Sequence, residues 1–482
     1  MEQKSIKKNT LFNALKTFST IVFPLITFPY VSRILLAENV GKVNFGLSII
    51  SYFSLIASLG ITTYAIRECS AVRTQRDLLS KLASEIYSIN VITTIIAYIL
   101  LALTLLLYKR LENYRVLILI QSLSILFTTL GTDWLNSAME DFRYITVRTI
   151  IFQIIAIGLM FSFIHAPEDY LKYAAISLVS SSGAHIVNVW YRKRYCDVRF
   201  TIHIDWKTHL TPIILLFVMI LAQDIFTNVD STMLGLMQGD RAVGIYTTAQ
   251  KVNRVVSQVV SSVLWVIMPR MSLYFAQKKY EEINRLLRKL LGFNFLVGLP
   301  CVVGQIVMAK DIVLVAAGTD FAESAPVLQI RALSMLFALF GGNLLGNAIL
   351  LPSKQEKYYM IVCIITAVIN VVANYSLIPV FGPVGAAITT AFCSLCILIM
   401  LVFKVDKRIK FSNTGKLIVS PLVGCVGIVA VCVGFRSIEE MAIRVILSIV
   451  CSVFVYGCIQ LLLRNELALE VAGNTLKRLK IK

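Results

Sequence analysis

The chain lacks any stretch polar enough to fold in water by itself. Its longest polar segments, 67–81, 192–207 and 274–289, are each too short for an independent domain. Acid is scarce: 27 Asp and Glu stand against 46 Lys and Arg, a net charge of +19. The four histidines (His165, His185, His203 and His209) are scattered. His203 and His209 share one connection but bring no further ligands, which argues against a metal site. Ten cysteines include a Cys-x-x-Cys at Cys393 and Cys396, mid-run among apolar residues with no histidine nearby, so they read as small packing residues. No polar domain combines clustered base with aromatic stacking positions, which excludes nucleic acid as a partner.

What is there instead is hydrocarbon. The composition is 57% hydrophobic and the mean hydropathy is +0.77. Long continuous apolar runs such as IIFQIIAIGLMFSFI and VILSIVCSVFVYGCIQLLL are of the kind that crosses a bilayer as helix. Their continuity excludes a transmembrane barrel, whose strands alternate with period two. The runs predict an all-α integral membrane protein of about 14 helices (12–14), near 10–35, 40–64, 82–108, 114–139, 145–165, 170–191, 211–237, 243–272, 286–309, 326–351, 357–378, 383–404, 415–435 and 441–463. With the amino terminus inside, the inner connections collect 32 Lys and Arg and the outer ones 10, which places both termini in the cytoplasm. The basic start MEQKSIKKNTLFNALK has no small-residue cleavage site and reads as a retained first helix. The segment 274–289 has apolar residues at helical spacing and is expected along the cytoplasmic interface.

Inside the spans, polar residues gather in stripes. Thr247, Lys251, Arg254, Gln258 and Ser261 follow steps of four and three, so they share one helix face. Asn13, Lys16 or Thr17, Thr20, Pro24 and Thr27 keep the same rhythm in the first helix. Thr128, Thr132, Asp133 and Asn136 cluster in the fourth, and Asp224, Thr227 or Asn228, and Ser231 in the seventh, with Asp230 to one side. Ionisable residues at membrane depth face a bundle interior or a water-filled path. Lys16, Lys251, Arg254 and Arg331, with Arg33 at the outer end of the first helix, suit an anionic cargo, because guanidinium and ammonium groups replace water around phosphate oxygens. The competing reading is structural: Asp224 or Asp230 neutralises Lys251 or Arg254. Asp133, Asp224 and Asp230 are candidates for coupling to protons or sodium, since a buried carboxyl can exchange a proton. Pro24 and Pro29 remove backbone hydrogen bonds from the first helix and are expected to bend it as a gating kink.

The chain also repeats itself. Val40-Gly41 and Val243-Gly244 each follow a polar turn and precede an aromatic, Phe45 or Tyr246, at an offset of 203 residues. Six helices per unit is an even number, so the two copies enter the membrane in the same direction, as parallel repeats do.

The stretch 22–61, VFPLITFPYVSR to SLGI, resembles the opening of bacterial polysaccharide repeat-unit flippases of the Wzx type. QDIFTNVDSTMLGLMQGDRAVGIYTTAQKVNRVV (223–256) and FGPVGAAITTAF (381–392) resemble later signatures of that family. The resemblance places the chain in the superfamily of multidrug, oligosaccharidyl-lipid and polysaccharide exporters. It implies two six-helix lobes in a V, 1–208 and 209–405, with two further helices and a basic tail at 406–482. It also implies an undecaprenyl-pyrophosphate-linked oligosaccharide as cargo in the bacterial cytoplasmic membrane, with membrane lipids and other polysaccharide assembly proteins as partners. An alternative is a multidrug exporter of the same fold, which predicts an anionic or aromatic-rich cavity. A glycan polymerase or glycosyltransferase is disfavoured, because the outer loops are short and no Asp-x-Asp motif occurs.

Overall fold

The computed structural model describes residues 6–406, 408–409, 415–470 and 473. All regular structure among the described residues is helical. In hydrocarbon no water is available to bond backbone N–H and C=O groups, so each apolar run must satisfy them within its own helix. Ten helices are long and apolar enough to cross a membrane among the described residues. Many of their large side chains point outward: Leu106 is 71% exposed and Phe454 72%. A soluble protein does not leave such a belt uncovered.

The chain divides by packing into two units, Met1–Gly244 and Ile245–Lys482. In the first, α1 (Ile6–Ser58) is interrupted at Leu36, whose φ of 61° and ψ of 173° are not helical. It is followed by α2 (Ile61–Ala71), α3 (Arg76–Leu107), α4 (Arg115–Gly131), α5 (Asp133–Ala138), α6 (Phe142–Phe163), α7 (Tyr170–Leu178), α8 (Ala184–Tyr191) and α9 (Trp206–Met237). One end of this unit is an apolar cluster centred on Ile61, Leu79, Ile86, Leu135 and Ile213. Here α9 packs against the start of α2, with Leu216 and Phe217 pressed on Gly60. Beside it, His209 contacts Glu85 Oε2 through Nε2 at 3.0 Å and the Tyr64 hydroxyl through Nδ1 at 2.7 Å. All three side chains are buried, so the histidine that looked partnerless in sequence ties α9 to α2 and α3.

The two repeat motifs are in contact. Helix α10 (Asp240–Ala276) starts directly after α9. A methyl group on Gly41 would overlap the Asp240 carbonyl oxygen, and one on Gly244 would overlap the Ala37 carbonyl oxygen. Leu36 and Gly239, both at positive φ, are related by the same 203-residue offset as Ala37 with Asp240 and Gly41 with Gly244. The spacing seen in sequence is therefore a reciprocal backbone contact.

The second unit continues with α11 (Tyr280–Phe293), α12 (Leu299–Val307), α13 (Ala309–Ala317), α14 (Ser324–Ala338), α15 (Glu356–Val402), α16 (Gly415–Gly434) and α17 (Met441–Leu462). Helix α15 is 47 residues long and is broken at Gly382, flanked by Pro379 and Pro383. Wider π-type turns carry α11 into α12 at 294–298 and run from 339 to 350 beyond α14. The apolar face of α11 (Ile283, Leu287, Leu290, Leu291) packs into a cluster with Leu345, Ile349 and Val362. Its basic face pairs outward, Arg288 with Glu466 at 3.0 Å and Lys289 with Glu470 at 2.9 Å. Helices α16 and α17 share a core with α12 through Leu299, Cys425, Ile428 and Tyr456. Cys393 is buried and Cys396 half-buried on α15, as packing residues are.

Candidate functional site

The stripe of α10 runs from buried to open along one face. Thr247 is 4% exposed, Lys251 is half-buried, and Arg254 and Gln258 are exposed. Arg254 lies within Coulombic reach of both Lys251 and Arg331. Arg331, on α14, donates from Nη1 to the Tyr246 hydroxyl at 3.3 Å, and its guanidinium stands 5.7 Å from the centre of the Tyr246 ring. Its Nε is buried without a hydrogen-bond partner. Tyr246 is wholly buried, and its hydroxyl meets Thr390 Oγ1 at 3.4 Å, which fixes the ring against α15. Further along the stripe, Ser261 accepts from Asn343 Nδ2 at 2.8 Å. Three cations in succession repel one another, and an anion placed among them relieves that repulsion. Among the described residues, Arg254 and Arg331 make no ion pair.

The acids of α9 sit in a different setting, within the first unit. Asp224 accepts from Asn228 Nδ2 at 3.1 Å through one oxygen, and its other oxygen is buried without a partner. Asp230 is 1% exposed. Both acids lie within Coulombic reach of the Tyr52 phenol. That phenol meets Thr232 Oγ1 at 3.1 Å, and Thr232 donates to Ser48 Oγ at 3.0 Å. The sequence pattern did not single out Tyr52, because an aromatic in an apolar run carries no signal until its partner helix is known.

Asp133 is engaged. Arg148 Nη2 donates to its Oδ1 at 2.6 Å, and Asn136 Nδ2 donates to the same oxygen at 2.8 Å. Asn136 also bonds Asn188 Oδ1 at 2.8 Å, and Asn188 donates to the Gly131 carbonyl. Arg148 is not among the residues that the sequence pattern singles out. The structure places it within α6, with its side chain 5% exposed. The available signal was its position two turns inside the apolar run that follows Asp141 (the α6 cap, whose side chain accepts from the Tyr144 N–H). Lys16, on the first turns of α1, lies within Coulombic reach of His185, and Thr146 on α6 fastens the neighbouring Phe12 carbonyl at 2.8 Å.

The first helix carries its two prolines where α1 is partly open: Pro24 is exposed and Pro29 half-buried. Thr27 donates to the Phe23 carbonyl at 2.9 Å, and Arg33, itself exposed, donates from Nη1 to the Pro29 carbonyl at 2.6 Å. The non-helical residue is Leu36, seven positions beyond Pro29. Beyond that break Asn39 Nδ2 holds the Pro167 carbonyl at 2.8 Å, and before it the Tyr30 hydroxyl holds the Ile164 carbonyl at 2.8 Å. No group of three or more His, Cys, Asp or Glu side chains suited to a metal occurs among the described residues.

The family model described as "Polysaccharide biosynthesis protein" matches residues 6–275, and the MatE model matches 215–376. The chain is 21% identical to the "Putative O-antigen transporter" of Escherichia coli (strain K12) over 392 residues, 80% of this chain and 93% of that one. It is 23% identical to the capsular polysaccharide biosynthesis protein CapF of Staphylococcus aureus over 75% of this chain and 89% of that one. In fold it is similar to the lipid II flippase MurJ in an inward closed conformation, with a TM-score of 0.72 and 15% identity over 95% of this chain and 100% of that one. The model match covers more than half of the residues, so the chain belongs to the polysaccharide biosynthesis protein family, as a multi-pass membrane transporter and not an enzyme.

Proposed function

We propose that the chain flips an undecaprenyl-pyrophosphate-linked oligosaccharide repeat unit from the cytoplasmic to the outer leaflet of a bacterial cytoplasmic membrane. The observation that carries this reading is the run of cations Lys251, Arg254 and Arg331 beside Tyr246, in a family whose named relatives handle O-antigen and capsular polysaccharide. The lipid tail stays in hydrocarbon while the charged head group exchanges water for guanidinium and ammonium contacts. The lobes that rock are 1–208 and 209–405, with 406–482 appended, and both termini lie in the cytoplasm. Asp224 and Asp230, with Tyr52 of α1 near them, are the groups best set to exchange a proton or sodium ion during the cycle.

The test is the leaflet location of the lipid-linked glycan in cells without this chain, complemented by wild type or by Lys251→Ala/Arg254→Ala. Cargo trapped inside and released only by wild type supports both the flipping and the cationic path. Release by both removes these residues from the path.

A further inference from the structure

The first unit holds a second cationic cluster that the reading above does not use. Its centre is Arg148, whose Nη2 is committed to Asp133 at 2.6 Å. The remaining edge of the guanidinium, Nε and Nη1, is buried and has no protein acceptor. Around it, the Tyr144 hydroxyl and His185 Nδ1 are also buried without hydrogen-bond partners. The guanidinium stands 5.0 Å from the centre of the Tyr144 ring. His185 is pressed onto Gly131 by the close approach of α4 and α8, which sets its ring beside Asp133. Asp133, Arg148 and Lys16 all lie within Coulombic reach of that ring.

Buried polar groups in native proteins are nearly all bonded, and a group that is not calls for an explanation. These lie together and are rich in donors. Two fixed positive charges, Lys16 and Arg148, stand against the single acid Asp133, so the cluster is net positive before any histidine proton is added. A guanidinium Nε/Nη edge matches two oxygens carried on one atom, the geometry of phosphate and carboxylate.

We infer that Arg148, His185 and Lys16, with the Tyr144 hydroxyl, form an oxyanion-binding site in the first unit, distinct from the Lys251–Arg254–Arg331 run. It takes a phosphate or carboxylate group of the anionic cargo, and in that respect rests on the proposed function. Asp133 orients the guanidinium through its other edge, as a positioning residue. Its place near the start of α1 and α6, at the end of the bundle that bears the basic connections, makes it a loading site.

The test uses the purified full chain in detergent, with Trp190, Trp206 and Trp265 changed to Phe so that Trp134, next to Asp133, reports alone. Inorganic pyrophosphate and glucuronate are titrated separately, with melting temperature as a second readout. The expected result is a saturable Trp134 response with stabilisation. His185→Asn and Lys16→Gln, which leave the Arg148–Asp133 pair intact, each weaken it roughly ten-fold, about 1.4 kcal/mol. The paired Asp133→Asn/Arg148→Gln variant, which buries no lone charge, abolishes it, and Arg285→Gln, on the exposed side of α11, leaves it unchanged. A stronger response to pyrophosphate assigns the site to the diphosphate, and a stronger response to glucuronate assigns it to an acidic sugar. Response to neither anion, or titrations identical in wild type and the three unit-one variants, overturns the site. Because binding is read on purified chain, intact binding together with normal glycan export by Lys251→Ala/Arg254→Ala keeps this site and sinks the α10 assignment instead.

Discussion

The two units use their cations in opposite ways. In the first, Arg148 is 5% exposed and held by a carboxylate at 2.6 Å. In the second, Arg254 is exposed and its Coulombic neighbours are Lys251 and Arg331, all of one sign. A paired buried charge contributes to holding helices together, whereas like charges set side by side oppose packing. The contrast separates an arginine with one edge committed to a protein carboxylate from one that makes no ion pair among the described residues.

The sharpest way to break this comparison is to remove one arginine from each unit. Arg148→Met takes the guanidinium from Asp133, whose side chain is 23% exposed, and should cost about 1–3 kcal/mol of stability, much of it recovered in Asp133→Asn/Arg148→Met. Arg254→Met orphans no acid and should change stability by less than about 0.5 kcal/mol while lowering glycan export. Thermal unfolding in detergent beside a leaflet assay measures both. If the two substitutions destabilise equally, the contrast fails.

A smaller effect is expected where the repeats touch. Gly41→Ala or Gly244→Ala must push a backbone carbonyl aside, and overpacking of this kind costs about 1–3 kcal/mol. Because the contact is reciprocal, the two substitutions should destabilise similarly, and the melting temperatures of the pair check it. Smaller still, Leu36→Gly should stabilise the chain by about 1 kcal/mol, since φ 61° with ψ 173° is a conformation nearly reserved for glycine.

The smallest concerns the turn between α6 and α7. Asp169 Oδ1 pairs with Lys172 at 2.6 Å, and its Oδ2 accepts from the His165 and Ala166 N–H groups. The Lys172 hydrogen bond first, then the two amides, hold its carboxyl down to about 2. A depressed carboxyl contributes stability that is full above its unfolded value near 4 and is lost as pH falls toward 2. Asp169→Asn should therefore flatten the stability profile between about pH 4 and 2, and leave the profile above pH 5 parallel to wild type. An unchanged acid limb would mean that the turn contributes nothing there.

Much of this was legible in the sequence for a physical reason. Hydrocarbon demands continuous apolar helix, so the all-α fold is written in local runs. The α10 stripe was readable because Thr247, Lys251, Arg254, Gln258 and Ser261 follow the helix period, and the structure sets Arg331 beside them through Tyr246. Arg148 was not, because its meaning comes from Asp133 on another helix, 15 residues earlier. His209 was missed in the same way: Glu85 and Tyr64 lie 124 and 145 positions away. Periodicity reports which face a residue is on. It carries nothing about what faces it.

The contact of Ala37 and Gly41 with Asp240 and Gly244 has one more consequence. Each glycine meets the carbonyl that precedes the other by four positions, so residue i touches j′ while j touches i′. That is the signature of an isologous interface between two identical chains. A half-length ancestor pairing with itself would have needed only one glycine there, and a single mutation would have struck the contact twice. Once both copies lie in one chain, each side can change alone. Leu36 and Gly239, 203 positions apart, already differ in this way: both sit at positive φ, which a glycine adopts freely and a leucine does not.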